Sequence, residues 1–152
     1  MKVDSELTSA SELDSGGGYS AANIAVIQQE GNFNHVAARQ YGQVNYLSIT
    51  QQGQQNLLSL TQSGGENSAL SHQKGDINIA ALIQIGYENQ ILLEQIGYGN
   101  RAGISQFGVQ NSAKVSQIGA YHEVSIYQSG SGLHTEVKQT GASITTIVNQ
   151  YD

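Results

Sequence analysis

Glutamine returns every eleven residues along this chain, at Gln29, Gln40, Gln51, Gln62, Gln73, Gln84, Gln95, Gln106, Gln117, Gln128, Gln139 and Gln150. No insertion or deletion interrupts the series, and a repeat that strict admits few folds. Glycine stands two residues after each of the first eleven, at Gly31, Gly42, Gly53, Gly64, Gly75, Gly86, Gly97, Gly108, Gly119, Gly130 and Gly141. Asparagine stands six residues before the first nine, at Asn23, Asn34, Asn45, Asn56, Asn67, Asn78, Asn89, Asn100 and Asn111. The last three units put His122, Leu133 and Ile144 in that place.

Between Asn and Gln the residues alternate. Two before each Gln the residue is apolar except at Ser71, and four before it is apolar except at Thr135 and Thr146. The residues between are unconstrained: Lys114 and Ser116 in one unit, His35, Ala37 and Arg39 in another. A period of two predicts a seven-residue strand with one buried face. Each Gly then suits the reversal, because glycine reaches positive φ at little steric cost. A meander of hairpins would set Asn opposite Gln. A parallel stack at a 22-residue offset sets Gln on Gln and Asn on Asn, about 4.8 Å apart, where each side-chain amide reaches the next. Repetition of identity rather than mere polarity favours the stack. The expected fold is therefore all-β, a parallel β-solenoid with two strands per coil and about six coils of 22 residues over 23–152. An amide ladder of the Gln and Asn residues would run up it, complete on the Gln side and interrupted on the Asn side after Asn111.

Residues 1–22 lie outside the repeat. They hold four acids against Lys2, hence −3 of the total −6, and a Gly run; that composition predicts a flexible acidic segment. The net negative charge argues against nucleic acid as a partner. With no Cys there is no thiol chemistry, and no apolar run nears the ~20 residues of a membrane span. Acidic residues rather than an apolar run follow Met1-Lys2, so no signal peptide is expected, which leaves open a cytosolic protein or one whose leader has been removed.

No motif for catalysis, cofactor or metal emerges. His35, His72, His122 and His134 share no spacing, and Glu66, Glu88 and Glu94 fall in reversals or outward places without a polar cleft. "GYGN" at 97–100 is a repeat reversal, since no phosphate-loop Lys-Ser/Thr follows. A monomeric binding or adhesin solenoid is the rival from another class. An ice-binding array is disfavoured because His35, Leu57, Ile79, Arg101, Glu123 and Thr145 form one irregular outward column.

The unit N-x-Φ-x-Φ-x-Q-x-G-x-x, clearest in "SQFGVQNSAKVSQIGAYHEVSIYQ" at 105–128, resembles the curlin repeat, and the resemblance spans 23–152. It implies a secreted structural subunit of curli, the extracellular bacterial functional amyloid of biofilms, rather than an enzyme. It implies homo- or hetero-polymerisation with curlin subunits at the outer cell surface, with no cofactor and no small-molecule substrate. The segment 1–22 then resembles the stretch that addresses a curlin to its secretion channel and accessory assembly factors, a leader having been removed. Asn at the start of both strands of a coil, with departures over 117–152, is more similar to the minor, fibre-nucleating subunit than to the major one. The major-subunit reading stays open at this point.

Overall fold

A computed structural model describes residues 22–152. The expected segment 1–22, Ala22 apart, lies outside the described residues. Twelve strands follow one another: β1 (Ile24–Asn32), β2 (His35–Gln43), β3 (Tyr46–Gln54), β4 (Leu57–Gly65), β5 (Ser68–Asp76), β6 (Ile79–Tyr87), β7 (Gln90–Tyr98), β8 (Arg101–Val109), β9 (Ser112–Ala120), β10 (Glu123–Ser131), β11 (His134–Ala142) and β12 (Thr145–Tyr151). Odd strands form one six-stranded sheet in the order β1-β3-β5-β7-β9-β11, and even strands form the other, β2-β4-β6-β8-β10-β12. Every pairing is parallel and in register at an offset of 22, so that Gln29 meets Gln51 and Gln40 meets Gln62. The fold is the two-strand-per-coil β-solenoid.

The alternation places one apolar set between the sheets. Leu47, Ile49, Leu58, Leu60, Leu82, Ile91, Leu93 and Ile104 are almost wholly buried there, with Ala69, Ala80, Ala102 and Ala113 filling narrower places. Burying each large aliphatic side chain contributes about 1.5–3 kcal/mol. Burial weakens at the extremities: Ala25, Ile27, Val36 and Val148 only partly shield the core.

Two local features differ from the sequence expectation. The strands are nine residues long rather than seven, except β12, and they run through the glycines. Gly31 to Gly141 therefore lie inside strands, not at the reversals. Their φ values are positive, and a Cβ on Gly86 would overlap the Gly108 carbonyl oxygen of the next coil. From Gly31 to Gly119 glycine is required because backbones approach across coils, and that approach keeps the ladder going past the Gln; Gly130 faces the Asp152 side chain instead and Gly141 faces open space. The reversal falls two residues later, on the residue before each Asn position. Phe33, Val44, Gln55, Glu66, Ile77, Glu88, Gln110, Tyr121 and Ser143 all take φ near +57° there, joined by Gly99 and Gly132.

Candidate functional site

The glutamine columns are buried between the sheets. From Gln29 to Gln128, each Nε2 donates to the Oε1 of the Gln one coil later, at 2.6–3.0 Å. From Gln40 onward each Nε2 also donates across the core to a carbonyl on the facing sheet, as Gln62 does to Tyr46 O at 3.1 Å. One side chain thus ties its coil to the next and its sheet to the opposite one. A buried amide without partners would cost several kcal/mol; here Gln51 to Gln128 are fully enclosed and bonded.

The asparagine columns run the other way. Asn45, Asn56, Asn67, Asn78, Asn89 and Asn100 donate from Nδ2 to the Oδ1 of the Asn one coil earlier, at 3.0–3.1 Å. The same Oδ1 accepts the later residue's backbone N–H, as in Asn45 N to Asn23 Oδ1 at 2.9 Å. All nine Asn also donate to a Gly carbonyl in the next coil, at 2.7–3.2 Å, such as Asn45 to Gly64. That carbonyl is the one crowded against the preceding Gly. Asparagine and glycine are two parts of one device at each bend.

The Asn column changes before its last member. Asn111 meets Asn89 through its backbone N–H at 3.1 Å, while its Nδ2 goes to Phe107 O and Gly130 O. Leu133 offers no amide, but its backbone N–H still donates to Asn111 Oδ1 at 3.0 Å. His122 imitates Asn more closely. Its Nδ1 accepts Ile144 N–H at 3.3 Å, which leaves the proton on Nε2 to donate to Ile118 O at 3.3 Å. Asn45 Nδ2 makes the equivalent bond to Tyr41 O, also four residues back.

Three residues that sequence reasoning treated as departures from the repeat, or passed over, shape the last coil. Thr146 Oγ1 accepts from Gln139 Nε2 at 3.0 Å, where a further Gln would otherwise stand. Thr135 Oγ1 donates to Gln150 Oε1 at 2.6 Å and accepts from Gln128 Nε2 at 3.1 Å. Asp152 occupies the repeat's Gly position, and its Oδ2 accepts Ser131 N–H at 2.9 Å. All three could be found by asking what each phase of the repeat holds in its last occurrence.

The outer faces mix polar and aliphatic residues. Lys114 Nζ lies 3.0 Å from Glu136 Oε1 across β9 and β11. That hydrogen bond, then the lysine's charge, holds the Glu136 carboxyl below the usual carboxylate range. Leu70, Leu92 and Ile147 are exposed. His35 and His134 are also exposed and His72 is half-buried, whereas His122 is buried.

Comparison with family models finds the Curlin associated repeat at residues 53–86, 86–119 and 111–141, which together run over more than half of the chain. Neither the curated proteins nor the solved structures include a match to the chain.

Proposed function

The chain belongs to the curlin family, and on that premise we propose that it is the minor curli subunit, which starts fibre assembly at the cell surface. The family makes it a structural amyloid subunit of extracellular curli fibres, one that associates with its own kind rather than an enzyme. The nucleating role is carried by one observation: the Asn place holds Asn through Asn111 and then His122, Leu133 and Ile144. A subunit meant only to be stacked repeatedly in a fibre gains nothing from a coil that breaks its own rungs. A subunit that begins a fibre needs one end that templates and one that does not.

The residues proposed to carry assembly are the Gln and Asn columns, with the stacked glycines that let successive bends close. An exposed parallel edge offers its N–H and C=O groups to the next strand. Aligned amide rungs reward only a strand with Asn and Gln six apart. The segment 1–22 is proposed as the address read by the secretion channel and its accessory factors. A fibre-initiating chain in trace amount is expected to abolish the lag of major-subunit fibre formation, followed by thioflavin fluorescence. An unchanged lag, with the chain incorporated along the fibres, would make it a major-type subunit. A chain that stays a dark, single sedimenting species at all concentrations would instead be a monomeric binding module.

A further inference from the structure

We infer that the two ends of the stack are chemically unlike, and that only the β1–β2 end is built to receive another subunit: a curlin coil with both Asn and both Gln in place, not a second copy's β11–β12 coil. This gives the nucleating reading, on which it rests, a direction.

At the β1–β2 end every rung is of the repeating kind. Gln29 and Gln40 each donate onward, and among the described residues nothing donates to their Oε1 atoms. The backbone N–H groups of Asn23 and Asn34 likewise have no acceptor among the described residues, whereas those of Asn45 to Asn111 all bond an Oδ1 one coil earlier. Twenty-two residues before Gln29 and Gln40 the sequence has Leu7 and Gly18, which carry no side-chain N–H. Within the repeat, the groups that complete such rungs are two Gln Nε2 donors and two Asn Oδ1 acceptors. Ala38, an inward residue, is exposed at this end.

The β11–β12 end cannot supply that set. A second copy placed on it in register would set its Asn23 over Leu133 and its Asn34 over Ile144, neither of which has an Oδ1. Gln139 Nε2 is already shared among Glu123 O, Ile144 O and Thr146 Oγ1. The Asp152 carboxylate lies against Gly130, where the next glycine carbonyl would stack. A charge, two Asn places without an Oδ1 and one occupied Gln rung discourage strand addition at this edge, where Gln150 alone keeps the repeating kind. Each N–H buried without an acceptor weakens an association by roughly tenfold.

The probe is a labelled 22-residue peptide of residues 89–110, which holds Asn89, Gln95, Asn100 and Gln106 in phase. It is titrated into the full chain, Ala38→Glu and Val148→Glu. Binding is expected for the wild type and for Val148→Glu, and about tenfold or more weaker for Ala38→Glu. Because a glutamate at position 38 can loosen β2, hydrogen exchange on the wild type gives a second measure. The peptide should slow exchange at the Asn23 and Asn34 amides and leave β12 unchanged. Absence of binding, or protection and mutational loss at β12, would overturn the assignment. A peptide that binds at β1–β2 while the chain leaves the fibre lag unchanged would uphold the directional face and refute nucleation.

Discussion

At the scale of single residues, the stack carries two costs that substitution can relieve. Ser71 is buried between Ile49 and Leu93 of the neighbouring coils, and its Oγ has no partner. A buried hydroxyl without a hydrogen bond costs about 1–3 kcal/mol, so Ser71→Ala is expected to raise the unfolding free energy by a comparable amount, read as a higher denaturant midpoint at unchanged slope. Val44 is exposed and takes φ 58°, a conformation that disfavours β-branched side chains. Val44→Asn should stabilise by roughly 1 kcal/mol, measured by the same unfolding titration. Ser71 was legible from the sequence as the one polar residue in its column. The left-handed bend was not. Its nine non-glycine occupants are aromatic, β-branched, acidic, amide and hydroxyl residues, so the requirement leaves no compositional mark. The bend is imposed by coils stacked above and below, not by local preference.

Strands were legible in kind and position but not in length. The inward alternation ends at Gln, and sequence pattern alone ends the strand there. Pairing continues because Gly31 meets Gly53, and so on up the column, without side chains between them. Gly86→Ala puts a methyl group into the Gly108 carbonyl at φ 127°. It is expected to destabilise by about 3 kcal/mol or more, and to slow incorporation into fibres by seeded thioflavin growth. Across β9 and β11 the Lys114–Glu136 pair acts more weakly, since both side chains are about half exposed. The Glu136 carboxyl is lowered in the folded chain, so its contribution is present above the ordinary carboxylate range. That contribution fades as pH falls through the lowered value. Glu136→Gln should flatten the acid limb of the stability curve slightly, an effect that added salt removes from the wild type.

Over the whole molecule, order comes from neighbours 22 residues away, and each coil depends on those it touches. The period and the parallel offset could be read from the chain, because identical amides must meet identical amides. The inequality of the ends was harder to see. Thr135, Thr146 and Asp152 look like decay of a repeat until their hydrogen bonds are traced. Excising residues 79–100 joins Asn78 to Arg101, as Asn100 is joined now, and removes one coil in phase. That chain should keep its β circular dichroism and unfold at a moderately lower midpoint. Excising residues 79–99 leaves one residue too many and turns every later inward side chain outward, so it should not fold.

The opposed directions of the two amide columns have an electrical consequence. A row of aligned amide dipoles builds a potential at its ends, as the peptide dipoles of a helix do. Here the Gln rows donate amide to amide toward the later coils, and the Asn rows donate amide to amide toward the earlier ones, while the second N–H of each Asn goes to a Gly carbonyl of a later coil. The two rows of amide-to-amide bonds therefore oppose one another within each coil as far as Asn100. Because such end fields are set by the last turns of a stack and not by its length, the thousandth subunit of a fibre built from such coils meets the same field as its second.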